Sequence, residues 1–111
     1  MSILRLTRGD TGHFRFTVTD ADGAVVNLTG ATATLTVKKY EDDVTAILTK
    51  TEADGLTLVA PQTGGLIDLE VEPADTATLA PGYYRYDLEV QPGEYVYTVD
   101  SGWLVITTGV T

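Results

Sequence analysis

The sequence predicts an all-β domain, and three observations carry that prediction. The 111 residues include 19 Thr, 12 Val and 4 Ile, and β-branched side chains are stiff at χ1 and suit a pleated surface better than a helix. Several segments alternate apolar and polar residues in strict period two, the mark of half-buried antiparallel strands. Gly-, Asp- and Pro-containing turn signals then recur about every 8 to 12 residues, the spacing of a β-sandwich or barrel. The length fits one domain, 1–111, enclosing one core.

In chain order, Ile3–Thr7 is a weak strand candidate. Phe14–Thr19 puts Phe14, Phe16 and Val18 on one face and Arg15, Thr17 and Thr19 on the other. Asp20-Ala21-Asp22-Gly23 then reads as a tight turn, with glycine free to take positive φ. After Leu28-Thr29-Gly30, Thr32–Lys38 turns Ala33, Leu35 and Val37 inward. Glu41-Asp42-Asp43 reads as a solvated loop tip. Ala46–Thr51 and Leu56–Ala60 are weaker strands, and Asp54-Gly55 between them is a hairpin signal. Beyond Gln62-Thr63-Gly64-Gly65, Ile67–Glu72 alternates three apolar with three acidic residues. Pro73–Leu79 breaks the alternation and reads as a single helical turn, with Pro at its start and Leu79 plugging one end of the sandwich. Tyr84–Val90 alternates again, Gln91-Pro92-Gly93-Glu94 closes a hairpin, and Ser101-Gly102 predicts a last hairpin between Tyr95–Asp100 and Trp103–Thr107. The expected core is Phe14, Phe16, Leu35, Val37, Ile67, Leu69, Val71, Tyr84, Tyr86, Leu88 and Val90.

Composition argues against several functions. Sixteen acidic against seven basic residues give a net charge of −9, which repels the phosphate backbone that nucleic-acid binding relies on, and a polybasic membrane contact is equally disfavoured. The apolar run Trp103–Ile106 is four residues long, far short of a bilayer span. The N-terminal residues lack a signal-peptide apolar stretch, so synthesis in a cytoplasm is expected. With zero cysteines there is no thiolate nucleophile, disulfide or Cys-based zinc site.

Catalytic constellations are thin. His13 is the one histidine and Ser2 and Ser101 the two serines, with no Gly-x-Ser-x-Gly, so a Ser–His pair has little to build on. A carboxylate pair for glycoside hydrolysis needs a cleft, and the acids Asp68, Glu70, Glu72, Asp87 and Glu89 fall on outward strand positions. Asp20-x-Asp22-Gly23 begins like a calcium loop, but Ala24 occupies the third ligand position. Arg8-Gly9-Asp10, an adhesion tripeptide, reads as a polar turn, and Asn27-Leu28-Thr29 is a glycosylation sequon in form only. No catalytic residue, cofactor or metal is expected. Tyr83, Tyr84, Tyr86, Tyr95, Tyr97 and Trp103 crowd the last 29 residues. Alternate members must face the core, and the others suit a protein interface or a sugar-binding platform.

Arg8-Gly9-Asp10-Thr11, Asp20-Ala21-Asp22-Gly23, Val26–Thr32, the strand ending Val37-Lys38-Lys39, Gly65–Leu69, Asp75–Leu79, Pro81–Glu89, Gly102–Ile106 and Val110-Thr111 follow one another in characteristic order. In order and spacing the chain resembles small tail- and baseplate-region proteins of bacteriophages and prophages. It is similar to the immunoglobulin-like N-terminal domain of phage baseplate upper proteins. Asn27 stands where an Asp-Leu-Thr-Gly run is more usual, and the tyrosine spacing after Gly82 differs by one from that of fibronectin-type modules. The resemblance implies an Ig-like antiparallel β-sandwich of seven to nine strands and a structural, non-enzymatic role in a virion. The partners it implies are other virion or tail-assembly proteins, with homo-oligomers included. Tyr95, Tyr97 and Trp103 are the expected interface residues. A carbohydrate-binding or adhesion module is the alternative, and an enzyme comes third.

Overall fold

The computed structural model describes residues 2–40, 43, 45–52 and 54–108. Glu41 and Asp42 of the acidic run, Ala53 before Asp54-Gly55 and Val110-Thr111 lie outside the described residues. Eight strands are present among the described residues: β1 (Ser2–Thr7), β2 (Gly12–Thr17), β3 (Thr32–Lys38), β4 (Leu48–Glu52), β5 (Gly55–Leu58), β6 (Leu66–Val71), β7 (Gly82–Gln91) and β8 (Tyr97–Thr107). A 3-10 turn spans Gln62–Gly64 and a one-turn helix, α1, spans Pro73–Thr76.

The strands join in the order β1-β8-β7-β3-β4-β5-β6-β2. One layer holds β1, β8, β7, β3 and β4; the other holds β5, β6 and β2. Across the interior β2 approaches β8, and β3 approaches β5. The eight strands thus form one continuous sheet folded over on itself into a nearly closed, two-layer β-sandwich. Tyr84, near the start of β7, donates its hydroxyl to the carbonyl of Ala80 at 2.6 Å. That bond is the tyrosine corner of Ig-like sandwiches. Two pairings are parallel rather than antiparallel, β1 with β8 and β4 with β5.

Alternation chose the buried face correctly. Phe16, Leu35, Val37, Ile67, Leu69, Val71, Tyr84, Tyr86, Leu88 and Val90 are all buried, and Phe14 packs half-buried against them. Burying a side chain of this size contributes roughly 1.5–3 kcal/mol. Leu28, in the turn before β3, is fully buried as well. Leu79 packs on the core just past α1, which fits the predicted plug. The helix start is held by a reciprocal pair of bonds: the Glu72 backbone N–H donates to Asp75 Oδ2 at 2.8 Å, and the Asp75 backbone N–H donates to the Glu72 carbonyl at 2.9 Å.

Two predicted hairpins are absent. Ser101-Gly102 lies inside β8, a continuous strand in which Gly102 is extended and pairs with Tyr86. Gly102 takes a buried position there. Asp54-Gly55 does not fold β5 back on β4. Thr51 and Glu52 pair in parallel with Gly55 and Leu56, so the chain steps sideways from one layer to the other. Gly55 makes the step possible: its φ is +100°, and a Cβ there would lie 2.9 Å from both the Glu70 carbonyl and Lys50 Cδ.

Lys50 sits at this corner. Its β4 position faces inward, it is 3% exposed, and its Nζ lies 2.7 Å from Asp75 of α1 and 3.7 Å from Asp54. Burial pulls the ammonium pKa down. The Asp75 hydrogen bond and the charges of Asp75, Asp54 and Glu72 outweigh that pull, so the group titrates above its ordinary 10.5.

Candidate functional site

Each layer turns one face to solvent, and register fixes what each face displays. On the three-stranded side His13 lies across from Glu70 and Arg15 across from Asp68. Arg15 grips Asp68 with two bonds, Nε to Oδ1 at 2.6 Å and Nη2 to Oδ2 at 2.9 Å. The Arg15 bond holds the Asp68 carboxyl below its ordinary range, and Asp68 raises the Arg15 guanidinium in turn. His13, Asp68 and Glu70 line an open depression on this face. Asp68, held ionised by Arg15, has no proton to give there as a general acid. Ser101 faces outward on the opposite layer, beside Asp87, so the structure does not bring His13 and Ser101 together.

The five-stranded side is organised in rows. One row runs Ile3 (β1), Trp103 (β8), Arg85 (β7) and Lys38 (β3); the next holds Arg5, Val105 and Tyr83. Arg85 lies over the Trp103 ring, 4.5 Å from its centroid, a favourable cation–π placement. Tyr83 meets the same ring edge-on, with centroids 5.9 Å apart and planes at 83°. Val105 is 4% exposed although it stands outside the sandwich core; Tyr83 and Arg5 are its cross-strand neighbours. Ile3 and Tyr83 remain 52% and 58% exposed. Nearby, Lys39 donates to the Tyr83 carbonyl at 3.3 Å and sits 4.7 Å from the centroid of the Tyr84 ring.

Along the same strands the character changes. The row below holds Ser101, Asp87, Thr36 and Thr49, and the one after it Thr98, Glu89, Thr34 and Thr51. Lys38, Arg85, Asp87 and Glu89 line one open depression on this face.

The three expected interface residues fall into two clusters. Trp103 belongs to the cationic rows. Tyr95, 70% exposed, and Tyr97, packed partly on the core, form a second pair with centroids 6.5 Å apart and planes at 31°. Tyr97 and Trp103 are separated by about 20 Å of strand. Sequence reasoning missed Arg85 and Lys38. Their outward positions were visible in the alternation, but only the β3–β7–β8 register places them beside Trp103.

The turn motifs are occupied by their own backbone. Asp20 Oδ1 accepts from the amides of Asp22 and Ala24 at 2.9 and 3.0 Å. Asn27 Oδ1 accepts from the amide and hydroxyl of Thr29. In Arg8-Gly9-Asp10 the Gly9 amide donates to the buried Thr76 hydroxyl at 2.9 Å, tying this turn to α1. No group of three or more His, Asp or Glu residues poised to hold a metal occurs among the described residues. No helix among them is long and apolar enough to cross a membrane. No protein-family model matches the chain, and no curated protein matches it.

Proposed function

We propose that this protein is a non-enzymatic structural or assembly component of a bacteriophage or prophage tail or baseplate, made in the bacterial cytoplasm and incorporated into the virion. Its mechanism is burial of outward sheet surface against other virion or tail-assembly proteins, or copies of itself, with the edge strands β1 and β2 available for pairing. The observation that carries the reading is the two-layer β-sandwich with its tyrosine corner, features of the Ig-like fold that the phage resemblance implies. The Trp103, Arg85 and Tyr83 cluster supports it, because aromatic and arginine side chains anchor protein interfaces.

The test is fractionation of a lysate from the phage- or prophage-bearing host on a density gradient, with the chain followed by mass spectrometry. Co-sedimentation with tails or whole particles is expected. Recovery only among free proteins, with particles complete in its absence, overturns the reading.

A carbohydrate-binding or adhesion module is the second reading, and the Tyr95–Tyr97 pair favours it. The two rings lie within 31° of coplanar, with Tyr95 exposed and Tyr97 packed partly on the core, and so approach the platform a sugar ring stacks on, whereas Tyr83 and Trp103 stand edge to face. Binding on a glycan panel that disappears in Tyr95→Ala supports this reading, and silence across the panel removes it.

A further inference from the structure

We infer that the outer face of the β1-β8-β7-β3-β4 layer is the contact surface for a second copy of this chain, packed face to face about a two-fold axis that crosses β7 between Arg85 and Asp87. This deepens the assembly reading by naming a partner. The argument begins with the division of charge. Arg5, Arg85 and Lys38 stand on one half of the face with Ile3, Tyr83 and Trp103; Asp87 and Glu89 stand on the other half, among Thr34, Thr36, Thr49 and Ser101. An in-plane two-fold axis perpendicular to the strands lays the cationic half of one copy on the acidic half of the other. Arg85 then meets Asp87 of the second copy, and Tyr83 meets its Glu89. Every such contact occurs twice, as an isologous interface requires.

A wholly acidic partner fits less well, because it would set its own charge against Asp87 and Glu89, and like charges brought together in an interface cost several kcal/mol. The size is suitable. Five strands by about eight residues span roughly 24 by 27 Å, on the order of 650 Å² in projection, against the ~800 Å² per partner that a standard interface buries.

Sedimentation velocity of the full chain over the micromolar to millimolar range tests this, with circular dichroism confirming the fold of each variant. The wild type is expected to show a concentration-dependent dimer that weakens with salt. Arg85→Asp and Asp87→Arg, each made alone, are expected to raise the dimer dissociation constant by about tenfold or more. An equimolar mixture of these two variants is expected to dimerise again, because one chain then carries two acidic groups at the axis and the other two basic ones. Thr36→Lys leaves both axis residues in place, sets a lysine against the second copy's Lys38, and is expected to favour the monomer as well. A wild type that stays monomeric, single variants that dimerise unchanged, or a mixture that does not recover each overturns the inference. A monomeric chain that still co-sediments with particles removes self-pairing alone; a dimer absent from particles removes the virion role alone.

Discussion

The two outer faces of the sandwich handle charge in opposite ways. On the three-stranded face Arg15 and Asp68 stand directly across from each other and satisfy one another through two bonds. On the five-stranded face Arg85 and Lys38 share a row with Trp103 while Asp87 and Glu89 stand in the next two rows, so that opposite charges lie in different rows rather than directly across from one another. A cross-strand opposite-charge pair contributes to the sheet that contains it. Segregated charge contributes little within the sheet and gives a surface its direction. The same composition thus yields one face whose charges pair within it and one whose charges are divided into two halves, the division on which the proposed self-association rests. A net charge of −9 does not describe both.

Three substitutions test how far this contrast extends, and the largest effect belongs to a cation on neither face. Lys50 points inward at the corner between the layers and meets Asp75 of α1 at 2.7 Å. Lys50→Ala leaves Asp75, itself only partly exposed, facing a void, and removing one partner of a buried pair is expected to cost about 3 kcal/mol. Urea denaturation followed by tryptophan fluorescence measures it. A loss as small as that of an exposed ion pair would mean that water reaches the corner and that Lys50 behaves like a surface residue.

An intermediate effect is expected at the tyrosine corner. Tyr84→Phe removes the hydroxyl bond to the Ala80 carbonyl while keeping the ring in the core, and is expected to cost about 1 kcal/mol, the typical net worth of one hydrogen bond. The ring sits under Lys39, on the cationic side of the molecule. If the loss of stability is accompanied by loss of self-association, the corner also sets the geometry of the associating face. If stability alone falls, the two are independent.

Much of this contrast was legible in the sequence as far as alternation reaches. Period two in Phe14–Thr19, Thr32–Lys38, Ile67–Glu72 and Tyr84–Val90 identified which residues face the core, because a strand's facing is a local property. Register is not local. Arg85, Trp103 and Lys38 lie far apart along the chain, and nothing near any one of them states that β3, β7 and β8 align them in a row. The two misread hairpins have a related cause. Gly55 and Gly102 carry the signature of turns, but Gly55 serves a sideways step between layers where a Cβ would meet the Glu70 carbonyl and Lys50, and Gly102 is a buried residue of a continuous strand, paired with Tyr86. Leu28 was missed because it fills the core from a turn, where no periodicity points to it.

The smallest effect is expected on the three-stranded face, and its pH dependence makes it measurable. Arg15 and Asp68 are both well exposed, so Arg15→Gln is expected to shift the unfolding midpoint only slightly at neutral pH and to leave self-association unchanged. Arg15 holds the folded-state pKa of Asp68 below its ordinary 3.8. The pair's contribution is therefore fully present above that ordinary value and disappears as pH falls through the depressed one. Wild type and Arg15→Gln should accordingly differ by a constant small amount from about pH 5 upward and converge in stronger acid. Lys50 behaves oppositely: its raised pKa keeps its contribution intact below 10.5 and releases it only in stronger alkali. Thermal melts of both chains from acid to neutral pH measure the convergence. A gap that persists into strong acid would show that Arg15 acts through packing on β2 rather than through Asp68. A change in association would show that the three-stranded face takes part in it.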